Sequence, residues 1–385
     1  MIYFIFRYKS TTILREETMS FLKKLFTPSS RDIVITDYAS FWQWFSLHQE
    51  EFYSILRSRD NVESNLLSTL IPALHKVNPG FYCVCGIERD KCAELIISAE
   101  GNIKNFVFVE DFVSYAPEIP GWRITALKPP VGLDAVSTSM KGIDYNQHKI
   151  AFYPKPNPAY PDEISLVFVH TDYSKENAEQ VENGTFIFLE NAIGEMNLAT
   201  MIDEIEIGGK QEETGELIPL NKLLPYLKWR EAEFVEKYRG GRYYTETDRY
   251  ATFSGQDSKG RSSIGLMNTD LLKWDAKGSH PWMMTITINY SSNQTNGMPD
   301  RKTFQKMDQF EKELCSLLLD SNGYLNVGRQ TYNGIRTIYF ACVEFRYASR
   351  IARLMIAEYK HEIEADYDIC RDKYWITLER FSDAC

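Results

Sequence analysis

The chain has 385 residues, 44% of them apolar, 14% aromatic and 25% charged, and a formal net charge of −10. At roughly 100–200 residues per domain this length suggests two or three domains, and the aromatic content excludes large-scale disorder. The acidic balance lacks the electrostatic footprint for nucleic-acid phosphates or an anionic membrane surface, so neither is an expected partner.

Seven cysteines, Cys83, Cys85, Cys92, Cys315, Cys342, Cys370 and Cys385, sit mostly within apolar strand or helix patterns. That usage predicts reduced thiols in a cytoplasmic protein. Cys83 and Cys85 have strand spacing, and no second pair stands at zinc-ligand distance. No metal and no cofactor are expected. The apolar run Ile2–Phe6 is too short for a membrane span or a signal peptide. Met19 reads as a second start, which would make residues 1–18 an upstream extension.

Residues 1–36 are read as an N-terminal extension. Phe41, Trp44, Phe45, Phe52, Ile55 and Leu56 then recur at helical steps over 37–57, with Thr36 or Asp37 as cap. A second helix over 62–76 contains Pro72, a predicted kink. Strands are expected at 81–87 and 93–99, a helix at 103–115, and strands at 122–127, 149–153, 164–170, 186–189 and 201–207. Residues 37–207 are thereby one mixed α+β domain. A Gly/Glu-rich linker, a helix over 221–238 and a hairpin around Asp257–Gly260 fill 208–275.

The final segment, 276–385, carries 13 Lys+Arg against 14 Asp+Glu from Trp282 onward. Met283–Tyr290 alternates cleanly as a strand. Asp300 caps a helix to Leu319. Strands at 324–331 and 335–345 flank Asn333-Gly334, the strongest short hairpin signal. A helix over 347–363 precedes a last strand made of 367–369 and 375–381. The order βαββαβ predicts a ferredoxin-like sandwich, so the fold class is α+β throughout.

Pro281-Trp282, Met298-Pro299, Val327-Gly328, Gly334-Ile335-Arg336 and Tyr339-Phe340, at these spacings, resemble the domain-of-unknown-function family 695 of uncharacterised bacterial proteins. No activity comes with that resemblance. A topological likeness to the ribonuclease E inhibitor family (regulator of ribonuclease activity B) would imply a protein that restrains a nuclease.

Candidate sites are few. Arg336, Glu344 and Arg346 form a charged set on the central hairpin, an interaction surface if they face solvent and otherwise cross-strand ion pairs. His361-Glu362 lacks the second histidine of a zincin, because position 365 is Ala. Gly255–Ser263 has phosphate-loop composition, but Arg261 follows Gly260 and a strand follows the loop, so a hairpin turn is expected. Asp144, His148, His170 and Asp172 are a candidate convergence. Trp42, Trp44, Trp229, Tyr243, Tyr244 and Tyr250 would line a partner groove or pack as core. The leading expectation is a non-enzymatic binding or regulatory module with a protein partner. The alternatives are a hydrolase-like enzyme with a dispersed N-terminal site and a toxin-immunity protein. Nothing in the sequence speaks to oligomeric state.

Overall fold

The computed structural model describes residues 33–59, 61–87, 92–134, 136–210, 215–292 and 296–382, so the Met19 start and Cys385 lie outside the described residues. The chain forms two compact units, one from residues up to Glu100 with Phe108–Lys128, the other from Gly101–Val107 with Pro129 onward. The division falls inside the 37–207 segment expected to be one domain. No helix among the described residues is long and apolar enough to cross a membrane.

In the first unit, α1 (Tyr38–Ser58) starts on Asp37, whose carboxylate accepts the Ser40 N–H while the Ser40 hydroxyl returns to Asp37. This closed capping box satisfies amides that the first helical turn leaves unpaired. A π-helical turn at Glu63–Leu67 leads into α2 (Ser68–Val77), which carries Pro72. Strands β1 (Tyr82–Ile87) and β2 (Ala93–Ser98) pair antiparallel, and β3 (Trp122–Ala126) adds parallel to β2. Helix α3 (Ile103–Ser114) lies between β2 and β3 in sequence. The core is aromatic: Phe41, Phe45, Phe81 and Phe112 are fully buried, and Trp42 Nε1 donates to the Phe112 carbonyl at 2.8 Å.

The second unit opens with the short hairpin β4 (Thr138–Met140) and β5 (Ile143–Tyr145). A four-stranded sheet follows in the order β8-β7-β6-β9, from β6 (Ile150–Pro154), β7 (Ser165–His170), β8 (Glu204–Gly208) and β9 (Ile218–Pro219). Helices α4 (Ala178–Ile193), α5 (Glu195–Met201) and α6 (Leu223–Lys237) accompany it. Two expectations are corrected here. Phe186–Leu189 is helical, within α4, whose buried Val181, Gly184, Thr185, Phe188, Leu189 and Ala192 recur at three- and four-residue steps. The strand expected at 201–207 starts only at Glu204, after α5.

The rest of the unit is a six-stranded antiparallel sheet, ordered β10-β11-β13-β14-β12-β15. Its strands are β10 (Tyr250–Gln256), β11 (Ser262–Asn268), β12 (Trp282–Asn289), β13 (Tyr324–Tyr332), β14 (Ile335–Cys342) and β15 (Glu364–Arg371). Helices α7 (Thr269–Leu272), α8 (Arg301–Leu317) and α9 (Arg346–Tyr359) intervene. Asp300 caps α8 through the Thr303 N–H at 2.7 Å. Asn333 and Gly334 take φ of 49° and 81° in the β13–β14 turn, the left-handed backbone of a type I′ turn. The 249–268 hairpin belongs to this sheet rather than to a connecting segment, because β11 pairs with β13.

Trp375–Phe381 is not a strand. Trp375 sits at φ 58°, and a 3-10 turn (Ile376–Leu378) leads into α10 (Glu379–Ser382). Asp372 causes this, since its carboxylate accepts the Ile376 and Thr377 amides at 2.7 and 2.9 Å. Trp375, Leu378 and Phe381 then pack on Met283, Leu325, Val327, Tyr339 and Ala341.

Candidate functional site

The structure separates the three residues expected as an interaction surface. Arg336 opens β14 while Glu344 and Arg346 follow its other end, about 25 Å away at strand rise. Arg336 is 1% exposed. Its guanidinium lies 4.8 Å from the Phe304 ring centre and donates Nε–H to Thr331 Oγ1 at 3.1 Å, and Nη1 has no partner. Strand alternation places it there: Arg336, Ile338 and Phe340 face the same side as Ile288, Ile286 and Met284, their register partners.

Glu344 and Arg346 instead line a cleft of about 540 Å³. Its walls are α5, α6, the start of β12 and the turn from β14 into α9. Glu344 is fixed by three donors, Tyr324 OH at 2.6 Å, Arg346 N–H at 2.7 Å and Tyr347 N–H at 2.8 Å, and so caps α9. Burial and this carboxylate together push the Tyr324 hydroxyl far above its ordinary range. The Arg346 guanidinium lies 4.6 Å from the Phe345 ring centre.

The floor of the cleft is Arg371, which grips both Glu231 oxygens through Nη2 at 2.9 and 2.7 Å and donates Nη1–H to the Thr200 carbonyl. Its guanidinium lies against Phe234 and Trp282. One guanidinium nitrogen is thus shared between both carboxylate oxygens, with rings packed alongside, which holds the charged pair in place. The lining also carries Val235, 52% exposed, and Val343, 38% exposed. Met196 and Met201 add adaptable apolar surface. Charge in the lining favours cations: Arg239, Arg346 and Arg371 against Glu231 and Glu344.

The other candidates settle into structural roles. His170 is buried; Nε2 lies 3.1 Å from the Asp144 carbonyl and Nδ1 accepts the Asp172 N–H, so the ring is a neutral tautomer with both nitrogens engaged. Burial also lowers its pKa. His148 is exposed, and Asp172 pairs with Lys149. Glu362 and Asp366 pair with Lys306 and Lys104. Among the described residues no three His, Cys, Asp or Glu side chains gather as a metal site. Gly255–Ser263 is the tip of the β10–β11 hairpin, where Asp257 accepts the Lys259 and Arg261 amides and the Tyr332 hydroxyl. Those donors hold its carboxyl well below the usual range. Of the aromatic set, Trp42 is core and Trp229 is exposed, whereas Tyr244 and Tyr250 share a second cleft. The six described cysteines carry no disulfide.

Sequence reasoning missed Arg371, Glu231 and Trp282 as one cluster. They come from three distant segments, and only the charge of Arg371 beside Asp372 hinted at a buried partner. No curated protein and no solved structure matches the chain significantly. One family model does: residues 258–381, from the β10–β11 turn through α10, match the family of unknown function DUF695, as the spacing of Val327-Gly328, Gly334-Ile335-Arg336 and their neighbours implies.

Proposed function

We propose that the protein is a binding module that docks a segment of a protein partner in the cleft between α5, α6 and the β14–α9 turn. The observation that carries this reading is two exposed apolar side chains, Val235 and Val343, in the lining of one cleft together with the Arg371–Glu231 pair. Exposed apolar surface in a rigid concavity is where binding anchors insert. Arg346 in the lining suits a segment with an apolar anchor beside a carboxylate. Recognition is then a local exception to the −10 charge of the whole chain, which discourages acidic partners elsewhere. The six described cysteines, which form no disulfide, fit action in the cytoplasm.

Selection of displayed peptides on the full chain tests this. The expected result is a consensus with an aliphatic or aromatic anchor next to Asp or Glu, lost in Val343→Asp and weakened in Arg346→Ala, with thermal unfolding unchanged. Selection without a consensus, or a consensus that Val343→Asp binds equally well, overturns the reading.

A further inference from the structure

Beyond the clefts, the six-stranded sheet has one edge left open to another strand. Its β15 edge carries three exposed acids, Glu364, Asp366 and Asp368, and charges of this kind keep other strands away. The opposite edge, β10, runs from Tyr250 to Gln256 with neither charge nor proline. Inside the sheet, the β13–β14 register slips between Asn326 and Gly328, a bulge. β10 pairs with β11 without a slip, so no bulge twists this edge out of reach. Thr252, Ser254, Gly255 and Gln256 are exposed.

Backbone bonds at both ends of β10 fix which residues face outward. Thr269 N–H donates to the Arg249 carbonyl at 2.9 Å, and Asp257 N–H donates to the Arg261 carbonyl at 3.0 Å. Both bonds extend the register in which Tyr250 faces Asn268 and Gln256 faces Ser262. Hydrogen-bonded and non-hydrogen-bonded pairs alternate along an antiparallel ladder. Arg249, Ala251, Phe253, Gly255 and Asp257 therefore direct their backbone groups to β11. Tyr250, Thr252, Ser254 and Gln256 turn their N–H and C=O groups away from the sheet, where no strand stands beside them.

A second copy of the same strand matches these groups. Outward residues pair only with outward residues, so a twofold axis must pass through a residue of β10 rather than between two. An axis at Phe253 sets Tyr250 against Gln256, and Thr252 against Ser254, of the second copy. All the outward residues are then used, whereas an axis at Thr252 or Ser254 pushes one of them past the end of the other strand.

The same register answers charge with charge. It brings Arg249 opposite Asp257 of the second copy, and symmetry repeats the pair. Both are non-hydrogen-bonded positions, where facing side chains are closest. The Arg249 side chain is 80% exposed. It reaches Asp270 through Nε and Nη2, which leaves guanidinium donors for a second carboxylate. The hydroxyls of Thr252 and Ser254 also come face to face, a favourable cross-strand pair.

We propose that the protein pairs with a second copy of itself edge to edge through β10, across a twofold axis at Phe253. This does not rest on the docking cleft, which lies at α5, α6 and the β14–α9 turn. Sedimentation velocity of the full chain over a wide range of concentration tests it. The expected result is a reversible monomer–dimer equilibrium with nothing larger, because a twofold pairing closes on itself. Thr252→Pro removes an outward N–H but no bond to β11, at a place where an edge strand tolerates proline. It is expected to weaken the dimer at least about tenfold through the loss of symmetry-related hydrogen bonds, with thermal unfolding of the monomer unchanged. Charge reads the register. Thr252→Glu with Ser254→Glu sets like charges face to face and dissociates the dimer, whereas Thr252→Glu with Ser254→Lys sets opposite charges face to face and retains it. The proposal falls if the chain stays monomeric throughout, if Thr252→Pro dimerises as well as the native chain, or if the two double variants behave alike. It also falls if ever larger oligomers form as concentration rises, which would make the contact head-to-tail.

Discussion

His280 shows what a single enclosed side chain does to the whole stability curve. It is 1% exposed, its Nδ1 lies 2.8 Å from Ser279 Oγ, and its carbonyl accepts Trp375 Nε1 at 3.0 Å. Burial pushes its pKa down to about 4. A base with a depressed pKa favours the folded state above its unfolded pKa, and that contribution fades as pH falls through the folded value. Stability is therefore expected to drop by on the order of 3 kcal/mol between pH 6.5 and 4 through this residue. Urea titrations across that window should show the slope, and His280→Phe should flatten it. Two arginines, Arg336 buried and Arg329 half-buried, make the opposite contrast. Arg336 has an unsatisfied Nη1, so Arg336→Met is expected to change stability by less than about 1 kcal/mol. Arg329 compensates buried Glu311, so Arg329→Met should cost roughly 3 kcal/mol by stranding that carboxylate. Arg336 was readable as buried from alternation alone, since it shares parity with Ile338 and Phe340; charge drew attention to it, and parity should have overruled charge.

Among the elements, those whose local chemistry and period agree were legible. The alternation of β12, the Asp300 cap of α8 and the Asn333-Gly334 turn all stand where the residues put them. Two segments misled because a short window of β-prone residues was read without its surroundings. Phe186-Ile187-Phe188-Leu189 looks extended over four residues, yet the buried positions of α4 follow a helical period over sixteen. Tyr374–Thr377 is β-prone as well, but Asp372 captures the amides that a strand would need. The bulge in β13 was invisible, because its cause lies in another strand. Gly328 sits at φ 144°, and a Cβ there would stand 2.3 Å from the Leu266 carbonyl oxygen and 2.8 Å from Met267 Cα. Gly328→Ala is accordingly expected to cost about 3 kcal/mol or more and to disturb the cleft that Arg329 and Asn326 line. Chemical denaturation measures the first effect, and the near-ultraviolet signal of Tyr250 and its neighbours reports the second. Of the cleft beside α5 and α6, Glu344 and Arg346 were legible in the sequence but not their apolar company, which only tertiary packing assembles.

On the scale of the second unit, the four-stranded and six-stranded sheets are joined by a few charged contacts on Asp162, Asp203 and Glu231. Asp162 Oδ2 accepts from Lys237 Nζ at 2.7 Å, Tyr238 OH at 2.9 Å and Tyr374 OH at 2.7 Å, and its carbonyl accepts Lys373 Nζ at 2.7 Å. Burial works against the charged form, but the Lys237, Tyr374 and Tyr238 hydrogen bonds outweigh it and hold the carboxyl below its ordinary pKa. An acid with a depressed pKa stabilises the fold above its unfolded value and loses that contribution as pH falls through the folded one. Asp162→Asn is expected to cost roughly 2 kcal/mol at neutral pH and nearly nothing in strong acid, where both forms are uncharged. Thermal melts at several pH values read the convergence. The two edges of the six-stranded sheet are also unequal. On β15 the exposed Glu364, Asp366 and Asp368 guard the backbone, whereas β10 has no charged residue. Acidic side chains of this kind discourage strand addition.

That bare edge strand gives the family match an awkward border. The matched stretch starts at residue 258, at the tip of the hairpin, so β10 falls outside it and β11 inside. Kinship and cutting site are thus different lines on this chain. A gene fragment trimmed to 258–382 would strip β11 of its neighbour and lay bare its backbone amides beside Met267 and Asn268, both fully buried under the mostly exposed β10. It should clump on expression, whereas a fragment starting at residue 243 should stay dispersed, and light scattering of the two would tell them apart. Whoever inherits this sheet must inherit its hem as well.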